Sequence, residues 1–378
     1  MKNLRKPIVL VDEWKMGIEI TVPMAVQHGN FVFTRGQIDI DDKTRVLNPA
    51  DAVAQTRTCA SHVARTLKAA ETGADRILHL NHYYRAGSVD DPGKLAKVLL
   101  AELRAPVDTP ITLIPVPHFY FDGIEVETDA IALASRQEPS RKRGTPLDWV
   151  AAAQDGQLAF FGGSTRVEPQ STDRIWSDVA QYLGSFAPST GRMRLYIQAP
   201  NIETYRALLE KLEIEVEGWA LHVLPCITPG VNDIAVSLTG SAMLRGSGCW
   251  ISDNRGVPWL LAGNGLGFVD AILPSDRPQP EQIGKADALA RQARSMMDDV
   301  GARLASHGLG FSNVLKATTY YRGRDSAEDL YANLSVRDSY YSYPGPASTG
   351  VPFLELDRQD AELLSSLVLA LPGQWAKV

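Results

Sequence analysis

Apolar and polar residues alternate with a period of two through residues 25–41 (AVQHGNFVFTRGQIDID), on both sides of His28-Gly29-Asn30, which predicts two strands joined by a tight turn. The period then lengthens. Ala52, Val53, Thr56, Cys59, Ala60, Val63, Leu67 and Ala70 recur every three or four residues, the spacing of an amphipathic helix, and Gly73 follows as its stop. A strand over 77–84, a helix over about 92–103 and strands over 111–119 and 124–133 complete the order β-β-α-β-α-β-β.

The pattern returns. ILHLNHYYRAG at 77–87 reappears as VLKATTYYRGR at 314–324, with Tyr83, Tyr84 and Arg85 answered by Tyr320, Tyr321 and Arg322. From 257 onward the order repeats: strand 257–265, helix 281–308, strand 314–321, helix 327–340, strands 348–356 and 363–371. Between these copies, 151–167 echoes 25–41 and leads into helix 172–183, strand 193–199, helix 202–212 and strands 219–226 and 231–239, a third and more worn copy. The predicted units are 1–138, 139–245 and 246–378. Each is large enough to fold as a domain, so sites are expected at the seams between units.

A chain of 378 residues exceeds one ordinary core, and 44% apolar with 22% charged residues is globular composition. The net charge of -6 argues against a general nucleic-acid binder, and the one dense basic run, Arg141-Lys142-Arg143 between Pro139 and Pro146, reads as a solvated linker. Cys59, Cys226 and Cys249 form neither a disulfide framework nor a zinc spacing, so a reducing cytoplasm is expected, with Cys226 read as a small buried apolar residue. The N-terminus reaches Asp12 and Glu13 after too few apolar residues for a signal peptide, and no run is long enough to span a bilayer, so no membrane partner is expected. No Walker loop, G-x-S-x-G elbow or H-E-x-x-H is present, and GNGLGF at Gly263 belongs to the repeat; no cofactor and no metal are expected.

GNFVFTRGQIDID, the Gln55-Thr56-Arg57 helix, the HYYR strand and the closing strand at 124–133 together resemble the Rid superfamily, the reactive intermediate deaminases also called YjgF-like. The resemblance is most specific in the first unit, weaker in the third and only in outline in the second. It implies a mixed α/β (α+β) fold of chorismate-mutase-like β-β-α-β-α-β-β domains, which in the family assemble as homotrimers with active sites in the clefts between subunits. Three fused copies then imply a monomeric pseudo-trimer with three unequal clefts, further self-association being left open.

The family's carboxylate-binding arginine sits in a Pro-Ala-Arg string, which here becomes Pro110-Ile111-Thr112 and Pro346-Ala347-Ser348. Arg35, before Gly36 and Gln37, stands where the family usually has a small hydroxyl residue and is a candidate for the missing cation. Its expected counterparts are Ala262-Gly263-Asn264 in the third unit and Gly162-Gly163-Ser164 in the second. The family's water-positioning glutamate corresponds to Glu127, a general-base candidate, with Ser365 at the matching place of the third unit. Glu125, Glu127 and Asp129 alternate along one strand face, which equally describes a solvated edge.

Strand parity puts His79, Asn81, Tyr83 and Arg85 on one face, Lys316, Thr318, Tyr320 and Arg322 on its equivalent, and Arg194, Tyr196 and Gln198 on the middle one. The opposite parity, with Leu78, Leu80, Leu315, Ala317, Leu195 and Ile197, is apolar, so helices should cover it and the polar faces should meet at the ring centre or its clefts. His118 and His82 complete the titratable candidates. The leading reading is a cofactor-independent hydrolase or deaminase of a small, possibly anionic imine, enamine or amide, with Glu127 at the chemistry. Arg35, Gln37, Tyr83, Arg85, His118, Lys316 and Arg322 are its candidate substrate contacts. Two alternatives stand beside it: a ring-opening amidohydrolase of the cyanuric acid hydrolase and barbiturase type, pairing Lys316 with Ser348 or Ser365, and a metabolite-binding protein without catalysis.

Overall fold

The computed structural model describes residues 4–10, 17–134, 137–145, 147, 149–154, 156–168, 171–186, 189–212, 214, 217–253, 256–278, 283, 285–324 and 326–373. The first unit runs β1 (Lys6–Ile8), β2 (Ala25–His28), β3 (Phe31–Thr34), α1 (Ala52–Ala69), β4 (Ile77–Arg85), α2 (Gly93–Leu103), β5 (Ile111–Val116) and β6 (Val126–Leu133). The second runs β7 (Ser140–Arg143), β8 (Val150–Gln154), β9 (Leu158–Val167), α3 (Thr172–Gly184), β10 (Ser189–Ala199), α4 (Ile202–Leu209), β11 (Trp219–Ile227) and β12 (Ile234–Leu244). The third runs β13 (Gly248–Ser252), β14 (Pro258–Gly263), β15 (Leu266–Ile272), α5 (Ala286–Ser306), β16 (Val314–Arg322), α6 (Ala327–Asp338), β17 (Ala347–Phe353) and β18 (Leu363–Ala370).

Each unit forms a six-stranded sheet of the same order, β1-β2-β3-β6-β4-β5 in the first, with one parallel pair, β4 with β5. The chain is thus a mixed α+β structure of three like domains. The expected order lacked one strand in the first and second units and two, β13 and β15, in the third. β1, β7 and β13 are extra edge strands, and the basic run read as a linker is β7, whose Arg141 Nη2 donates to the carbonyls of Asp75 and Ile77 at 2.6 and 3.2 Å. An edge strand tolerates charged residues because one side of its ladder is unpaired, and composition alone does not separate it from a linker.

Helix starts follow local chemistry. Asp51 accepts from the Ala54 amide at 2.9 Å at the head of α1, and Asn201 from Thr204 at 2.8 Å at the head of α4. Helices cover one face of each sheet, as where Val63 and Leu67 of α1 and Leu99 of α2 bury Ile77, Leu80 and Ala130. The other faces meet at a common axis. Leu78 and Leu315, expected under helices, instead lie on this axial side with Phe31, Phe33, Phe160 and Phe268, because bulges at Ile77/His79 and Val314/Lys316 invert the parity of each strand's first residues.

The axis is layered. Phe160 of the second unit packs edge-on against Phe31 of the first and Phe268 of the third, at 6.3 and 6.0 Å between ring centres. Above it come His79, Arg192 and Lys316, one per unit, then Asn81, Arg194 and Thr318, and then Tyr83, Tyr196 and Tyr320, all buried. Tyr196 and Tyr320 share a hydrogen bond of 2.6 Å between hydroxyls.

Candidate functional site

Strand register defines which residues of the three units correspond. Glu127 pairs with Tyr83, Ser237 with Tyr196 and Leu364 with Tyr320, so Leu364 and not Ser365 stands at the position of Glu127 in the third unit. Ser365 faces the other side of its sheet, 2.6 Å from the Thr319 hydroxyl. One seam of the three carries a carboxylate at this position.

The Gly-Gln string also corresponds differently. Phe33 pairs with Ile131 while Gln37 bridges to Thr128, which leaves one extra residue in the chain around Arg35 and Gly36. The third unit repeats the irregularity between Val269 and Ile272, so the residues matching Arg35, Gly36 and Gln37 are Asp270, Ala271 and Ile272; Ala262-Gly263-Asn264 belongs to the preceding hairpin. In the second unit β9 runs against β12 in unbroken register, and the bulge is gone. Sequence spacing could not show this, because glycines abound in both the hairpin turn and the bulge.

Between the first and third units lies a small cavity of about 40 Å³. Arg35, Gly36, Tyr120 and Glu127 come from the first unit; Leu330, Leu334 and Arg337 of α6 and Ser348 and Gly350 of β17 come from the third. Ile20 and Val22 close it, on a segment tied to the third unit by bonds from the Thr21 amide and hydroxyl to the Asp338 carboxylate at 2.8–3.0 Å. The seam itself is stitched by the Gly36 amide donating to the Ser348 carbonyl at 3.1 Å.

Glu127 is 2% exposed and accepts from the Tyr120 hydroxyl at 3.2 Å. Burial, reinforced by Asp129 nearby, pushes its carboxyl up to about 8, so at neutral pH it is a neutral acid rather than the expected base. Glu125, Glu127 and Asp129 are all buried, which corrects the solvated-edge reading. The guanidinium of Arg337, 3% exposed, is held by Asn333 Oδ1 at 3.0 and 2.8 Å, and Arg35, 4% exposed, donates to the Val22 carbonyl at 3.3 Å. Two cations and a proton donor therefore line one small space. Arg337 was not anticipated, although the sequence carried a signal: with Leu330 and Leu334 it lies at i, i+4, i+7, a cation on the apolar stripe of a helix.

Gly36 is a position where size decides. A Cβ there would overlap the Glu127 carboxyl. Gly36→Ala is therefore expected to displace the Glu127 carboxyl and to destabilise the chain by about 1–3 kcal/mol through overpacking, measured by urea denaturation.

The other candidates lie elsewhere. Arg85 makes a two-point bond to Glu125 at 2.6 and 2.8 Å, and Arg322 pairs with Glu355 at 3.0 Å. Tyr83 belongs to the axial tyrosine layer, and Gln37 is buried with its side-chain amide donating to the Arg35 carbonyl at 3.2 Å. His118 is half-buried in the loop after β5, close to Gly323. His82 is enclosed between Thr128 and Thr56, and burial pushes it down to about 3, so it stays neutral.

Lys316 Nζ donates to the Thr34 carbonyl at 2.9 Å and the Thr349 hydroxyl at 3.1 Å and lies 3.3 Å from Asp129 Oδ2. The hydroxyl it meets is thus Thr349, not Ser348 or Ser365, and the amine is ion-paired, which disfavours a serine-lysine nucleophile. Cys226 is fully buried and burial pushes its thiol up, as a packing residue requires. Among the described residues no group of three or more metal-ligating side chains occurs, and no helix is long and apolar enough to cross a membrane.

Two larger spaces occupy the other seams. One of about 540 Å³ between the first and second units includes Tyr84, Ser164, Arg166, Gln198 and Ser237; one of about 480 Å³ between the second and third includes His222, Trp250, Trp259 and Asp270. In the first, Ser237 replaces the carboxylate and donates to the Leu113 carbonyl at 2.6 Å.

Residues 21–134 match the model of a family described as Endoribonuclease L-PSP. No curated protein matches the chain. A solved chorismatase shares the fold with a TM-score of 0.51 at 15% identity, over 78% of this chain and 93% of its own. The YjgF gene product of E. coli, 24% identical, matches 35% of this chain and 99% of its own with a TM-score of 0.28, and E. coli TdcF with bound serine, 22% identical, matches 34% and 100% with a TM-score of 0.28. The match at residues 21–134 places the first unit's likeness with the endoribonuclease L-PSP (YjgF/Rid) family, and the three sheets of one strand order make the chain a tandem array of three like domains.

Proposed function

We propose that the cleft between the first and third units hydrolyses a small carboxylated imine or enamine, with Glu127 as proton donor and Arg35 and Arg337 as the carboxylate clamp. The observation that carries this reading is a neutral buried carboxyl lining the same small cavity as two buried guanidinium groups. The imine nitrogen takes the Glu127 proton, and the iminium carbon becomes open to water. Water adds and returns a proton to the Glu127 carboxylate. The carbinolamine then moves its hydroxyl proton to nitrogen and breaks the carbon-nitrogen bond, releasing ammonia and a ketone and leaving Glu127 protonated.

The cavity of about 40 Å³ holds only a water or two, so a substrate enters by displacing wall side chains, of which Ile20 and Val22 lie on the covering segment. Assays of ammonia release from 2-aminoacrylate-derived imines test the reading; purified protein that adds nothing to the uncatalysed rate sinks it. Arg337→Gln is expected to raise KM by about 10–100-fold with a smaller change in kcat, the loss of a charge-assisted hydrogen bond. A carboxylated cyclic substrate is the second reading. The fold shared with a chorismatase favours it, and product formation without ammonia would identify it.

A further inference from the structure

On the axis, between the phenylalanine and tyrosine layers, lies a second small cavity of about 30 Å³. It is separate from the Glu127 cleft. His79, Asn81, Arg192, Arg194, Thr239, Lys316, Thr318 and Ser366 provide its polar wall, and Phe160, Ile131 and Val368 seal its floor. Every unit contributes, so the site exists only in the closed ring.

Its charges do not balance. Three cations line it, Arg192, Arg194 and Lys316, with side chains 8, 10 and 5% exposed. Two carboxylates answer them: Asp129 pairs with Lys316, and Asp270 pairs with both Arg192 and Arg194. Lys316 is an ammonium, since three acceptors surround its three donors: the Thr34 carbonyl, Thr349 and Asp129. His79 supplies no charge, because burial pushes it down to about 3, and burial likewise holds the three tyrosines neutral. One buried positive charge is left over. An uncompensated charge in an apolar interior costs several kcal/mol, and a bound counter-ion is the direct way to remove that cost.

We propose that the axial cavity binds one small monovalent anion of halide size. The volume admits about one or two waters, the scale of a halide, and the lining hydroxyls of Thr239, Thr318 and Ser366 supply neutral donors beside the cations. Asp129 and Asp270 are not part of the cavity wall, so no carboxylate faces the ion. The anion is a structural ligand that locks the three units around one point.

The full chain, dialysed into sodium gluconate, is titrated with sodium bromide at constant ionic strength and followed by thermal melting. The expected result is a saturable rise in Tm of about 2–4 °C, together with an anomalous bromine peak at the axis in crystals grown with bromide. Two variants remove the excess charge in different ways. Arg192→Leu deletes one cation, and Thr239→Asp, on β12 directly opposite Arg194, installs a fixed anion. Both should lose the bromide response, and the aspartate variant keeps the test open if the leucine variant fails to fold. A wild-type Tm indifferent to bromide, an equal response in Thr239→Asp, or no bromine on the axis overturns the proposal.

Discussion

Under the proposed hydrolysis, Glu127→Gln is expected to lower kcat/KM for a small carboxylated imine by about 10²–10⁴-fold, the usual worth of a positioned proton donor. Glutamine keeps the shape and can still meet the Tyr120 hydroxyl, so the loss isolates the proton. The pH profile separates this role from the alternative one. With the carboxyl pushed up to about 8, an acid is competent throughout the neutral range, and the wild-type rate falls tenfold per unit above pH 8. A base would show the reverse, a rate rising toward pH 8. In Glu127→Gln the alkaline limb disappears. Steady-state kinetics from pH 6 to 9.5 on both proteins decides it, and a wild-type rate that climbs through pH 8 rejects the acid role.

Asp129→Ala is expected to destabilise the chain by about 3–5 kcal/mol in urea denaturation, because it strands the Lys316 ammonium in a buried interface without its carboxylate. Asp129 also accepts from Asn81 at 3.0 Å and Thr349 at 2.9 Å, so its removal unsatisfies donors from two units at once. The double variant Asp129→Leu with Lys316→Met should recover most of the loss, since apolar residues of similar volume incur no desolvation penalty. An Asp129→Ala protein as stable as the wild type would mean that water reaches Lys316, contrary to its 4% exposure.

Much of the architecture was legible because each signal was local. The alternation around Gly29 and the spacing from Ala52 to Ala70 report a hairpin and a helix without tertiary information, and Tyr83-Tyr84-Arg85 against Tyr320-Tyr321-Arg322 reports the repeat. Parity also placed Tyr83, Tyr196, Tyr320, Arg194 and Lys316 on faces that meet. What failed depended on register. A bulge changes which residues correspond without changing composition, so Asp270 was hidden behind a glycine-rich hairpin string and Leu364 behind Ser365. The protonation of Glu127 was equally illegible, since it follows from burial by the third unit.

The seam between the first and third units brings together residues more than two hundred positions apart, Gly36 and Ser348 among them. In a trimer of separate subunits such a meeting is an equilibrium, and dilution dissolves it. Here the covalent chain sets the local concentration of one wall about the other, so the cleft survives at any protein concentration. Fusion also frees the remaining seams from identity. Only one carries a buried carboxyl at this strand position, while the other two have diverged around larger spaces of about 540 and 480 Å³.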